Sequence, residues 1–573
     1  MYKIFKNNIY KILFLALVLV GGFSSCSFID EDTSDQYTED RIEDSSEGCQ
    51  ILVTGVYSKW IYDMFCWGYF PRMLEFDADY ISGPDWYFNK FGAGNFDGES
   101  DLTDALWTGC YNLINRANYA ERRIKLMENI TEAEMSNAIG EVRFQKAFAY
   151  FLLVRAYGEI PVQDESGLDN TGGARQSVDS VYHYITDNLE SAASMMYKNT
   201  DDAYEEGHVN AGSAAGLLAK VYATMAAAAM PVGTEITVRT GKAYEGTGND
   251  KKYAALQKKT FQKSAVAGYE NMNSLMLYSK AVQWAEAVIG GQYGRYGLLP
   301  YDQLWTKAHA TDPEFMFSIG SVSGNDTYKN SVHTMYEGYM KATGSDFIAE
   351  GGWVGCTRHW YDLFEDQDYR ITLGVKHRWR ASDHEENNLG FYYPNKDPYQ
   401  SLVDNKQAPY DDGVKYYYSM DYQCLAFTTK YMDVTDDATK NADANWPFLR
   451  YADVILIYAE ALNELGETGN AKLMLNKIRE RSNATLAGDN DLNDKTQMRS
   501  AIIEERAKEF GCEADRRWDL IRWGIYLDAM NALGGSDDSG VQKTREEKHL
   551  LFPIPTTEIN TNPNINENNP GWK

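Results

Sequence analysis

The sequence predicts a mostly α-helical protein, a stack of helical hairpins interrupted by a loop-rich region that carries short strands. Three observations predict it. Several long segments repeat apolar residues at helical spacing and end in recognisable start and stop signals. One stretch, "YAEALNELGETGNAKLMLNKIRER" (Tyr458 to Arg481), folds two such segments about the turn "GETGN". Ala459, Leu462 and Leu465 line the first and Ala471, Leu475 and Ile478 the second, a tetratricopeptide-like pattern too degenerate for a strict period. Between residues 301 and 447 Gly, Asp, Asn, Tyr and Trp dominate and long apolar periodicity disappears. With 573 residues, 44% of them apolar, the chain has ample material for a core.

Taken in order, residues 1–25 read as a signal peptide. Lys3, Lys6 and Lys11 precede the apolar run Ile12 to Val20. That run is shorter than the roughly 20 residues a membrane-spanning helix needs. It closes in "LVGGFSSCSFIDEDTSD", where one cysteine, Cys26, stands at the seam between greasy leader and acidic tail. The seam resembles a bacterial lipobox, with Phe23 in place of the usual Leu. Cys26 is therefore the candidate lipidation site, its thiol and new amine carrying acyl chains. An ordinary signal peptide with an incidental cysteine is the alternative. Residues 26–46, rich in Asp, Glu, Ser and Thr, form a flexible acidic tether.

Residues 47–300 form a helical region. A helix is expected over Asp101 to Glu128. "TEAE" (Thr131 to Glu134) is a capping box that opens a long helix ending at Gly158. Further helices follow over Val178 to Met196, Ala211 to Met230 and Tyr278 to Ile289. The C-terminal region, 301–573, comprises the loop-rich insert (301–447) and a helical scaffold with an extended tail (448–573). Its helices span Leu449 to Leu465, Gly469 to Arg481 and Gln497 to Phe510. No apolar run after the leader reaches spanning length.

Charge and motifs narrow the function. A net charge of −28, from 83 acids and 55 bases, repels phosphate backbones, so no nucleic-acid partner is expected. The six cysteines beyond Cys26 are dispersed without a CxxC pair and read as buried thiols. There is no GxSxG, no GxxxxGK[ST] and no HExxH, and "FGAGNFDG" lacks a helix behind it. "DNDLND" (Asp489 to Asp494) has cation-loop spacing but places Asp494 at the turn glycine and Ser500 at the closing glutamate. It reads as a solvated helix–helix turn. Nothing isolates a catalytic carboxylate pair. No cofactor, no metal and no enzymatic activity are expected.

Four C-terminal stretches carry a resemblance: "FLRYADVILIYAEALNE", "LNKIRERSN", "IIEERAKEFGCEADRRWDLIRWG" and "LFPIPTTEINTNPNINENNPGW". With "LWTGCYNLINRAN" and "GEVRFQKAFAYFLLVRAYGEIPV" nearer the N-terminus, the set resembles the SusD/RagB family of surface glycan-binding lipoproteins. Ala507 and Ala514 depart from the family, which often has Arg and Gly there. Within these motifs Glu505, Arg506, Glu509, Glu513, Arg516, Asp519 and Arg522 alternate in sign and read as a scaffold network joining two helices. Phe510, Trp518, Leu520 and Trp523 bury the other side.

The resemblance implies a SusD-like scaffold held outside the outer membrane by its lipid. It would capture oligosaccharide without chemistry and deliver it to a SusC-like TonB-dependent outer-membrane transporter. An assembly or lid subunit that binds another nutrient, such as peptide, and a surface glycoside hydrolase are the alternatives.

Sugar rings present apolar C–H faces with polar rims, so a platform needs flat aromatic faces edged by polar groups. "DADYISGPDWYFNK" offers Trp86 and Tyr87 with Asp85 and Asn89 alongside. Its place before the first long helix resembles the family loop that contributes a stacking Trp. "EGGWVGCTRHWYDLF" offers Trp353 and Arg358. Tyr296 and Tyr336 complete the candidate set. The alternative for Trp86 is a loop anchor buried against the scaffold.

Overall fold

A computed structural model describes residues 42–61, 69–163, 172–246, 252–325, 328–336, 353–380, 389–393, 415–417, 425–436 and 442–573. Cys26, the leader and most of the tether lie outside the described residues, as do Cys66 and Cys424.

The helical region opens with α1 (Ser46–Lys59), one residue ahead of the expected boundary because Ser45 caps it. The short α2 (Tyr69–Glu75) leads to strand β1 (Ile81–Ser82) and the single turn α3 (Asp85–Phe88). Then come α4 (Asp101–Ile124), α5 (Glu132–Tyr157), α6 (Val178–Met195) and α7 (Ala211–Ala228). The capping box forms as the sequence requires. Thr131 accepts from the Glu134 amide, and the Glu134 carboxylate accepts from the Thr131 amide. Helix α5 stops at Gly158, whose φ of 71° lies in the left-handed region that ends helices.

A two-stranded hairpin, β2 (Glu235–Thr240) with β3 (Gln257–Gln262), was not expected from the sequence, although "EITVRT" alternates buried and less buried positions along β2. Helix α8 (Ser274–Ile289), strand β4 (Phe315–Ile319) and strand β5 (Gly355–Cys356) follow. Next comes strand β6 (Trp446–Arg450), antiparallel to β4. The scaffold ends with α9 (Tyr451–Glu464), α10 (Thr468–Arg481), α11 (Lys495–Glu509), α12 (Arg516–Arg522) and an extended tail.

Successive helices α4 to α8 pack each on the next, α9 closes onto α7 and α8, and α10 folds back on α9. This is the stacked-hairpin architecture that the periodicity predicts. Helix α7 is buried along its whole length, and its small residues allow that. A side chain at Gly216 would meet Met316 at 2.8 Å and Val454 at 3.2 Å. The core is richly aromatic: Trp60, Phe70, Phe148, Phe317 and Phe448 contact one another at ring separations of 4.9 to 6.0 Å.

The alternating charges are not a solvated face. Arg506 pairs with Asp519 at 2.8 Å and Asp453 at 2.6 Å, and Arg522 pairs with Glu460 and Asp519, all buried. Arg450, 1% exposed, meets Glu513 at 2.7 Å, Glu314 at 2.8 Å and Glu509 at 3.0 Å. Burial alone would raise the Glu509 carboxyl, but Arg481, Arg450 and Arg370 hold it well below the usual carboxylate range.

In the turn at Asp489 to Asn493 a cation is already in place. The Lys472 ammonium donates to the Gly488 and Asp489 carbonyls at 3.1 and 3.2 Å and to Asn493 Oδ1 at 2.6 Å. Among the described residues no group of three or more His, Cys, Asp or Glu side chains is arranged to hold a metal. No described helix is long and apolar enough to cross a membrane.

Candidate functional site

The two stretches singled out for their tryptophans lie 267 positions apart, and the fold joins them edge to edge. Strand β1 pairs antiparallel with β5, Ile81 opposite Cys356 and Ser82 opposite Gly355. Gly83 is required for this approach: a Cβ there would sit 1.9 Å from the Trp353 carbonyl oxygen and 2.4 Å from the Phe88 ring. Pro84 sets the entry to α3, and Phe88 anchors that turn by stacking on Phe76 at 4.1 Å with an interplanar angle of 6°.

With Phe88 held inside, the same turn presents Asp85, Trp86 and Asn89 to solvent. Trp86 is 59% exposed, so the loop-anchor alternative does not describe it. Its ring lies 5.3 Å from Tyr87 and 5.4 Å from Trp353, and Tyr87 lies 5.2 Å from Trp353. The three rings meet at angles of 50° to 76°, so they form a faceted surface rather than a flat stack.

Sequence reasoning missed Arg72. Its guanidinium lies 4.6 Å from the Tyr87 ring centroid, and its Nε is buried without a hydrogen-bond partner. It stands on α2, in "YFPRMLE", where nothing local distinguishes it from a structural arginine. Burial, opposed by the nearby Arg72 charge, pushes the Tyr87 phenol up to about 12, so it stays neutral and keeps its proton to donate.

The platform rests on the C-terminal scaffold. Arg516 grips Asp79 with two hydrogen bonds of 2.8 and 2.7 Å, and Asp77 is paired with both Arg517 and Arg545. The buried Lys543 ammonium donates to the carbonyls of Ala78 at 3.0 Å and Ile81 at 2.9 Å. These bonds hold the segment from Asp77 to Ile81, which leads into the turn that carries Trp86.

Three candidates are corrected by their surroundings. Tyr336 is fully buried, donates its hydroxyl to Glu75 and contacts Tyr431 at 5.2 Å. No ligand can stack on it there. Arg358 is 8% exposed and committed to Asp362 at 2.8 Å, while its backbone amide donates to Asp538. Tyr296 is half-buried among the helices. Its hydroxyl donates to Asn210, which caps α7, and its ring packs over Gly212. Tyr336 and Arg358 stand in the loop-rich insert and Tyr296 just before it, where composition alone does not tell a surface side chain from one packed on the scaffold.

Two family models match the chain. One, described as "SusD family", covers residues 313–572, and the other, described as "Starch-binding associating with outer membrane", covers residues 28–223. SusD-like protein P2 of Formosa agariphila is 23% identical over 98% of this chain and 99% of its own length. The starch-binding protein SusD of Bacteroides thetaiotaomicron is 31% identical over 131 residues, 23% of this chain and 22% of that protein. A crystal structure of a SusD homolog from Bacteroides thetaiotaomicron superposes with a TM-score of 0.71 at 24% identity, covering 94% of this chain and all of that one. A laminarin-binding SusD-like protein superposes with a TM-score of 0.62 at 21% identity, over 92% of this chain and 99% of its own. The helical stack, the strand-paired insert and the two matched regions agree, and the chain belongs to the SusD/RagB family.

Proposed function

We propose that this protein is a non-catalytic glycan-binding lipoprotein of the outer membrane. It faces the exterior and delivers oligosaccharide to a SusC-like TonB-dependent transporter. The observation that carries the reading is the triad of exposed Trp86 with half-buried Tyr87 and Trp353, assembled from two distant segments and edged by Asp85, Asn89 and Arg72. Aromatic facets take the C–H faces of sugar rings, and the flanking polar groups take hydroxyls. Relatives named for binding starch and laminarin support a carbohydrate ligand. The N-terminal match to a model described as associating with the outer membrane supports the location. The seam at Cys26 supplies the anchor, and acyl chains at that residue hold the body at the surface and keep its effective concentration over a barrel high.

Each stacking contact contributes on the order of 1 kcal/mol, so affinity depends on several contacts together. Titration calorimetry with laminarin and soluble starch tests the reading. At least one should bind, and Trp86→Ala should weaken it by roughly fivefold to tenfold. Unchanged affinity in that variant removes Trp86 from the site, and release of reducing ends from either polymer rejects the non-catalytic reading.

A further inference from the structure

A cavity of about 450 Å³ lies where the N-terminal hairpins meet α12 and the C-terminal tail. Its volume falls among small-molecule sites, which run from roughly 300 to 1,000 Å³. The end of α5 supplies Val154 and Arg155, the loop after β3 supplies Val266, and α12 supplies Trp518. Leu527 and Leu551 close the far side, and the walls are largely apolar.

Arg155 sets the chemistry. Its guanidinium lies 3.9 Å from the Phe151 ring centroid and 5.1 Å from that of Trp518. Its Nε donates to the Phe151 carbonyl at 3.2 Å, and no ion pair holds its terminal nitrogens among the described residues. The neighbouring guanidinium on the cavity wall, Arg522, is neutralised by Glu460 and Asp519. Elsewhere in this protein buried arginines are matched to carboxylates, as Arg370, Arg450, Arg506, Arg516 and Arg517 are. A desolvated cation is ordinarily paired. Trp518, 4% exposed, also leaves its indole N–H without an acceptor. Arg155 is half-buried, and burial draws its pKa downward from its ordinary value against the opposing charges of Asp515 and Asp519, neither of which forms an ion pair with it among the described residues.

We propose that this cavity is a binding site for a small molecule with an apolar body and a single carboxylate, the carboxylate pairing with Arg155. A guanidinium lying over the Phe151 and Trp518 rings keeps its terminal N–H groups, the fork that a planar carboxylate matches. The apolar walls take the body of the ligand and leave few partners for the many hydroxyls of a sugar. One unpaired guanidinium balances one negative charge. The cavity acids Asp528 and Glu547 are exposed, so water screens them more than it screens Arg155. The site is separate from the aromatic platform and stands whether or not that platform binds glycan.

The test is calorimetry of the full-length chain with octanoate and, as its uncharged match, octanol. Octanoate should bind the wild-type protein. Arg155→Met should weaken it about tenfold or more and leave octanol unchanged, because only the charged hydrogen bonds are lost. Ala228→Leu, which adds bulk at the opposite wall and spares the guanidinium, should weaken both ligands. It also serves where Arg155→Met fails to fold by circular dichroism. No octanoate binding to wild type, or equal octanoate affinity in wild type and the folded variants, overturns the proposal.

Discussion

Replacing Gly83 with alanine tests whether the two platform segments must touch. The new Cβ would lie 1.9 Å from the Trp353 carbonyl oxygen, with the Phe88 ring at 2.4 Å blocking retreat on the other side. Tolerated contacts begin near 3.0 Å, so β1 and β5 must part by about 1 Å at this point. Their ladder has only two residue pairs to resist the change. The helical stack does not run through this ladder, so far-UV circular dichroism should be unchanged. Crowding of this kind costs about 1–3 kcal/mol. At the binding face, separating Trp86 from Trp353 disperses facets that a sugar would contact together. Losing one aromatic contact of about 1 kcal/mol, with some loss of preorganisation, predicts roughly fivefold to thirtyfold weaker binding of whichever of laminarin or starch binds wild type. Calorimetry at one temperature reads this directly. Affinity within twofold of wild type, in a protein with an intact spectrum, would refute the requirement for apposed tryptophans.

Three further outcomes are expected. Arg450→Met leaves Glu314, Glu509 and Glu513 buried without their shared cation, so urea unfolding should show a loss of about 3–5 kcal/mol; a loss under about 1 kcal/mol would mean that Arg481 and Lys430 compensate. Burial lowers the His208 pKa, but the hydrogen bond and charge of Glu141, with Glu205, outweigh it and raise the pKa overall. That contribution is full below the unfolded imidazole value of about 6.5 and fades as pH rises through the higher folded value, so wild type should lose stability relative to His208→Gln as pH rises above about 6.5. Parallel profiles for the two proteins would show that the pair contributes nothing. Cys26→Ser should abolish incorporation of labelled palmitate and shift the protein from the membrane fraction to the soluble one; retained label would place the acyl chain elsewhere.

What the sequence made legible follows from the range of each interaction. Helix limits depend on neighbours in the chain, so the Thr131 and Glu134 cap, the stop at Gly158 and the turn before Thr468 could be read directly. Trp86 and Trp353 could each be found from local chemistry, a bulky aromatic beside turn residues and polar groups. Their contact could not, because it depends on a two-residue ladder between segments separated by most of the N-terminal half. Arg72 went unseen for the same reason: only the folded position of Tyr87 gives it a role. Tyr336 misled in the opposite direction. Its loop-rich surroundings suggested exposure, and its partner Glu75 lies 261 residues away. The noted departure at Ala514 acquires a physical meaning in the structure. Its φ of 64° is left-handed, a conformation that glycine adopts without strain and alanine does not.

The charge network bears on how a modest platform could bind, as proposed. A few aromatic contacts of about 1 kcal/mol each would be largely spent if binding also had to order the loop that carries them. In this protein the ordering is done during folding. Asp77 and Asp79 are clamped by Arg545, Arg517 and Arg516, and Lys543 ties down the Ala78 and Ile81 carbonyls. Buried ion pairs of this kind add little net stability against a hydrophobic alternative, yet they are strongly directional and tolerate few geometries. The partners of Asp77 and Asp79 lie more than 430 residues further along the chain; Arg516 and Arg517 stand in a stretch that carries the family resemblance, and Arg545 lies between that stretch and the next. On the proposed reading, the motif that holds Arg516 and Arg517 would support recognition without touching a ligand. With Arg545 and Lys543, these arginines hold the segment that leads through β1 to the point where Trp86 meets Trp353.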